Sequence, residues 1–127
     1  MIRRVKISTE STGEVIAELL EELNPKTVAA VWKALPIESS ANRWGDEVYF
    51  DIPVKVEAEN AQQDVEIGDI AYWPAGNGFC IFFGPTPVSK GDKPRAYSPV
   101  NVFAKVVGDP SIFRRVKSGE KIEVLRA

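Results

Sequence analysis

The stretch that most constrains the fold is Gly68–Pro87, GDIAYWPAGNGFCIFFGPTP. It contains Tyr72, Trp73 and three of the six Phe (Phe79, Phe82 and Phe83), and its single charge is Asp69. Two apolar runs, Ile70–Trp73 and Phe79–Phe83, flank Ala75-Gly76-Asn77-Gly78. Apolar runs of strand length, rich in rings and divided at an Asn-Gly, predict a buried β-hairpin. Asn and Gly accept the positive φ that a tight turn requires. Tyr72 and Trp73 alternate along a strand, so one ring faces inward and the other outward, and Phe82 and Phe83 divide in the same way. No other part of the chain is dense enough to be the middle of a core. The hairpin is therefore expected to be the centre of the fold and one wall of any pocket.

The remaining elements are read outward from it. Residues 2–8 alternate, with Val5 and Ile7 opposite Arg4 and Lys6, and predict a strand. Gly13–Leu23 fits a helix through Val15, Leu19 and Leu23, with Ser11 and Glu14 mimicking a capping box, and fits a strand through Val15, Ala17 and Leu19. Propensity favours the helix. Residues 25–35 predict a helix more clearly: Asn24 is a good N-cap, Pro25 suits the first turn, and Val28, Val31, Trp32 and Leu35 share one face. Pro36 ends it.

Ile37–Arg43 is expected to be extended, Gly45-Asp46 a turn, and Glu47–Val56 a strand interrupted at Pro53. Residues 57–64 and the proline-rich 85–99 read as loops. Val100–Val107 reads as a strand with Val102, Ala104 and Val106 on one face. Ser111–Lys117 reads as a short helix capped by Ser111, and Lys121–Leu125 as a last strand. About eight short strands and one good helix point to a closed antiparallel barrel or a sandwich.

Inventory narrows the chemistry. The 127 residues make one domain, and an apolar fraction of 44% suffices for a core. With 18 acidic against 16 basic residues there is no basic surplus, so no nucleic-acid partner is expected. There is no histidine and one cysteine, which excludes His/Cys metal sites, His-based triads and internal disulfides. No metal and no cofactor is expected. MIRRVKIST lacks the apolar segment of a signal peptide, and no run approaches the ~20 residues of a membrane span. A cytoplasmic location without membrane attachment is the expectation.

Four segments, in order, resemble cyclophilin. Gly13-x-Val15-x-x-Glu18-Leu19 with Pro25-Lys26-Thr27 is similar to the cyclophilin strand that enters its first helix at Pro-Lys-Thr. Arg43 stands at the arginine of the Phe-x-Arg segment. Gly68, Ala75-Gly76 and Phe82-Phe83 resemble the Gly-x-Leu-x-Met-Ala-x-Ala-Gly strand and its later Gln-Phe-Phe. Val102–Val106 and Lys121-Ile122 resemble Val-Phe-Gly-Lys-Val and Lys-Ile. The shorter length, Asn42-Arg43-Trp44-Gly45-Asp46 and Cys80–Pro85 resemble the small, uncharacterised cyclophilin-like proteins of prokaryotes. The resemblance implies a mainly β fold, a closed barrel of about eight strands capped by helices. It also implies that residues 13–20 are a strand.

Cyclophilins are prolyl isomerases. Their reaction needs no general base: an apolar pocket grips the proline, and a guanidinium favours the twisted amide against a barrier of about 18–20 kcal/mol. The resemblance places Arg43 at the catalytic arginine and Phe83 on the pocket floor. The other positions depart: Val48, Tyr49 and Asp51 fall at Phe, Met and Gln, Ile81 replaces a glutamine, and Val100 falls at the pocket histidine. Tyr97 is the only aromatic of residues 85–99, so the cyclophilin tryptophan has no counterpart. Arg43 also reads as half of a turn ion pair with Asp46, or as a partner of Asp51. Cys80 reads as a buried small hydrophobe, since no histidine is present to activate it.

The expected function is a small-molecule or peptide binding module with a degenerate isomerase pocket, its ligand held by Arg43, Trp44, Tyr49, Asp51, Trp73, Phe83 and Tyr97. The alternatives are an active peptidyl-prolyl isomerase using Arg43, and a structural protein that self-associates into a homo-oligomer.

Overall fold

A computed structural model describes residues 2–127. Ten strands and one α-helix follow in the order β1 (Arg4–Thr9), β2 (Gly13–Leu19), α1 (Pro25–Ala34), β3 (Ile37–Ser40), β4 (Asn42–Arg43), β5 (Glu47–Asp51), β6 (Gln62–Asp64), β7 (Asp69–Trp73), β8 (Gly78–Phe82), β9 (Arg95–Val106) and β10 (Lys121–Arg126). A 3₁₀ turn at Pro110–Arg115 precedes β10. The sheet order is β3-β10-β1-β2-β9-β7-β8-β5-β4, with β6 paired on β9. Every pairing is antiparallel.

The expected ring of hydrogen bonds is not completed: among the described residues no ladder joins β3 to β4 or β5. The two outermost strands of the order are instead consecutive in the chain, separated by Ala41. Ala41 is fully buried and anchored to the turn before β10, donating to the Glu120 carbonyl and accepting from Gly119, both at 2.8 Å. The Ser39 hydroxyl of β3 donates to the Asp51 carbonyl of β5 at 2.8 Å.

Most strands turn one face to a single core, which includes Val5, Ile7, Val15, Ala17, Ile37, Phe50, Tyr72, Phe79, Phe103 and Val124 and receives Val28 and Val31 of α1. β2 is a strand because alternation wins over propensity: Val15, Ala17 and Leu19 enter this core while the chain pairs with β1 from Gly13 to Glu18. The central hairpin forms as expected, with Asn77 at φ 51° in its turn. Tyr72 points inward, where its hydroxyl donates to the Val54 carbonyl at 2.7 Å, and Trp73 points outward.

Three expectations are corrected. Residues 95–99 are strand rather than loop, since β9 begins at Arg95 and pairs there with β6, itself a strand inside the expected 57–64 loop. Pro99 is accommodated because its neighbour is the short, irregular β6 ladder. Val102 does not share a face with Ala104: the register against β7 slips between Ile70 and Ala71, so Phe103 and Ala104 both enter the core and Val102 faces outward. The short helix is a 3₁₀ turn capped by Asp109, whose carboxylate accepts from Ser111 N–H at 2.9 Å, not by Ser111.

Helix α1 also departs from expectation at its start. Asn24 makes no cap; its amide donates to the Val102 carbonyl at 2.6 Å. Glu59 supplies the cap from a distant loop, accepting from the Lys26 and Thr27 N–H groups, each at 3.0 Å. Desolvation pushes the Glu59 carboxyl up, but these bonds and the Lys26 charge outweigh it and hold it below its ordinary value. A depressed carboxyl stabilises the fold above the normal glutamate range and loses that effect as the pH falls through the folded-state value. Glu59→Ala is expected to cost about 1 kcal/mol near neutral pH in urea unfolding, with the deficit shrinking as the solution is acidified below the ordinary glutamate range.

Candidate functional site

The site begins at the tight turn between β4 and β5. Trp44 and Glu47 exchange both backbone hydrogen bonds, at 3.0 and 3.2 Å, around Gly45 and Asp46. Gly45 takes φ +59°, which suits the first central position of such a turn. A Cβ there would also lie 2.8 Å from the Pro87 ring. Directly paired residues of a hairpin share a face, so Trp44 and Glu47 project to the same side. Tyr49 follows on that face and is registered opposite Cys80 of β8. Trp73 of β7 joins from the far side of the hairpin.

These residues surround one part-open cavity of about 150 Å³, lined by Trp44, Glu47, Tyr49, Trp73, Cys80, Ala96, Tyr97 and Val100. Tyr97 is 67% exposed and stands at the rim. Its ring meets Trp44 at 5.9 Å and 74° and Trp73 at 6.0 Å and 83°, so it stands nearly perpendicular to both indoles, like adjoining walls of a box. Trp73 is fixed twice: its indole N–H donates to the Ser98 hydroxyl at 2.6 Å, and its ring lies over Gly76, where a Cβ would be 2.2 Å away.

Four of the expected site residues, Trp44, Tyr49, Trp73 and Tyr97, thus come together. Arg43, Asp51 and Phe83 do not line the cavity. Phe83 turns into the main core, its ring tilted at 32° to that of Phe113 with centroids 6.5 Å apart. Asp51 is exposed at the end of β5. The Arg43 guanidinium lies 5.0 Å over the Phe83 ring and donates to the carbonyls of Gly45, Arg114 and Val116 at 3.0–3.2 Å. Its carboxylate neighbour is Asp46, at 3.7 Å, rather than Asp51. The turn ion pair is therefore the reading of Arg43 that the geometry matches, and the side chain ties β4 to the 3₁₀ turn.

Glu47 was not among the expected residues. It is 5% exposed, and its Oε1 is buried with no hydrogen-bond partner. Burial pushes its carboxyl up to about 7, offset in part by the adjoining Cys80 thiol. Burial, and then the Glu47 charge, push the Cys80 thiol well up, so it stays protonated and inert. In sequence Glu47 looks like the solvent-facing start of a β-prone run. The available signal was period: Glu47 and Tyr49 share the face opposite Val48 and Phe50.

Comparison with known proteins agrees with this architecture. Residues 3–125 match the family model described as cyclophilin-like, and the chain belongs to that family. It is similar to the solution structure of a hypothetical protein from Archaeoglobus fulgidus, at 47% identity and a TM-score of 0.83, over 99% of this chain and 95% of that one. No curated protein matches the sequence.

The Glu47 carboxyl gives a pH signature. A carboxyl raised in the folded state favours folding below its ordinary 4.5, and that advantage is lost as the pH rises to about 7. The rise corresponds to about 3 kcal/mol. Glu47→Gln is expected to remove this component, so that the variant gains stability over the parent by up to that amount as urea unfolding is moved from about pH 5 to pH 8. A constant difference between the two proteins across this range would show that Glu47 has no such shift.

Proposed function

We propose that this cyclophilin-like protein is a small-molecule or peptide binding module whose ligand is held by the aromatic cavity, and that its isomerase pocket is degenerate. The observation that carries the proposal is the convergence of Trp44, Tyr49, Trp73 and Tyr97 on one part-open cavity with a single carboxyl group, that of Glu47, at its wall. A mainly apolar cavity with few convergent polar groups is the usual form of a small-ligand site. Tyr97 is suited to ligand contact because most of its ring remains exposed at the rim while two indoles hold it in place.

The test is ligand-induced thermal shift against panels of metabolites and proline-containing peptides, followed through tryptophan fluorescence. Tyr97→Ala is expected to cost the free protein about 1 kcal/mol, for the two edge-to-face contacts it forfeits, and to remove most of the shift caused by a hit. A hit whose shift is the same in Tyr97→Ala would locate binding elsewhere.

Family membership favours a second reading, an active prolyl isomerase. Against it stands the engagement of Arg43: four of its donor contacts already go to main-chain carbonyls. A guanidinium so occupied would break existing bonds before it could reach a twisting amide. Cis/trans relaxation of a short proline peptide is expected to proceed at the uncatalysed rate even at high protein concentration; an acceleration lost in Arg43→Lys would support the isomerase instead.

A further inference from the structure

The cavity poses a charge problem. Glu47 is buried at its wall with one oxygen unpartnered, and an ionised carboxylate in such a place is costly unless an opposite charge meets it. Among the described residues nothing cationic does so. Neither Lys nor Arg lines the cavity. Arg43, on the same turn, is committed to carbonyls, and Asp46 beside it pairs with Arg114 at 3.1 Å. Arg95, at the start of β9, pairs with Asp64 at 2.9 Å. The titratable groups that line the cavity with Glu47 are the Cys80 thiol of β8, the phenol of Tyr49 on Glu47's own strand β5, and the phenol of Tyr97 on β9. None of them carries positive charge.

The remaining walls are two indoles and two phenol rings, with the small side chains of Ala96 and Val100 between them. Aromatic faces attract cations through their quadrupole, indole most strongly, and several rings set at steep angles around a small space form a cage for a methylated ammonium group. A cavity of about 150 Å³ is known to hold a molecule the size of benzene, which matches such a group, and the open side leaves room for the rest of a longer molecule. A bare metal ion fits poorly, since hard cations take six or more oxygen ligands and one carboxylate is at hand.

We infer that the cavity takes an organic cation of the methylated alkylammonium class, its head group caged by Trp44, Tyr49, Trp73 and Tyr97 and paired with the Glu47 carboxylate. This inference rests on the reading of the cavity as the ligand site and assigns the class of ligand. Binding draws the proton off Glu47 wherever it is still held, so affinity rises with pH through the neutral range and up to one proton leaves as the cation enters.

The experiment compares choline with 3,3-dimethylbutan-1-ol, its neutral carbon isostere, by calorimetry on the full chain. Choline is expected to bind the parent protein at least about tenfold more tightly near pH 8 than the alcohol does. Glu47→Gln is expected to lower choline affinity about tenfold or more and to leave the alcohol within about twofold. Near pH 7 the choline heat is expected to differ between phosphate and Tris buffers, which reports the released proton. A peptide carrying trimethyllysine, run beside choline, tells whether the same chemistry is better met on a protein side chain or on a free molecule.

Equal affinities for the two probes, both weakened in Tyr97→Ala, would overturn the cation assignment and leave the ligand site standing. Binding of neither probe would overturn the assignment too, and the site would then rest on the metabolite and peptide panels. Loss of choline binding in Glu47→Gln counts in favour only if the alcohol still binds that variant, which excludes a folding defect.

Discussion

A strand buried on both faces needs two covers, and β8 is such a strand. Its five residues, Gly78 to Phe82, are all buried. Phe79 and Ile81 enter the main core, while Cys80 and Phe82 point the other way into a second, smaller cluster with Val65, Ala71, Ala96, Val100 and Val102. Each such side chain taken from water is worth about 1.5–3 kcal/mol, so neither face can be left wet. The inner face is covered by the curl of the sheet itself. The outer face is covered by the first half of β9, with β6 beside it, and by Tyr49 and Trp73. The cavity lies where this second cover stops, between the β4–β5 turn and the rim at Tyr97.

This explains what the sequence made legible. The apolar hairpin, the helix from Pro25 and the first and last strands follow from local periodicity, and the structure has them within a residue or two. What covers the outer face did not follow. β6 is polar, Gln62–Asp64, and counts as a strand only because β9 is there to pair with it. The bulge that sends Val102 outward is a property of the β7–β9 register, and two strands far apart in sequence set it. Trp44, Tyr49, Trp73 and Tyr97 were visible as aromatics, Trp44 and Tyr97 among polar and turn residues. Glu47 was not, because one carboxylate in a strand says nothing of burial until the opposing sheet is placed. Arg43 was read through the resemblance, whereas its acceptors at Arg114 and Val116 lie some seventy positions on and are brought near only by the fold.

The family pattern is retained in form. The segments Asn42–Asp46 and Cys80–Pro85, which resemble the small prokaryotic members, pack against each other as one unit: Gly84 lies beneath the Asp46 carboxylate, Asp46 N–H donates to the Pro85 carbonyl at 3.0 Å, and Phe83 N–H donates to the Asp46 carbonyl at 2.9 Å. A side chain at Gly84 would sit 2.3 Å from an Asp46 oxygen. The arginine thus serves the turn that presents Trp44 and Glu47. Its contribution to the site is indirect, through the angle at which that turn leaves the sheet.

The join at Ala41 has a mechanical consequence. A sheet sealed by a ladder has a fixed circumference, because changing it means shifting a whole row of bonds. Here the seam is a covalent link of one residue, backed by one hydroxyl contact from Ser39 and by the turn that grips Ala41. A separation of the two margins would break no ladder, and the chain would still hold them together. Since β4 and β5 form one margin and also bear Trp44, Glu47 and Tyr49, any such slackening is felt first as a change in the width of the aromatic box.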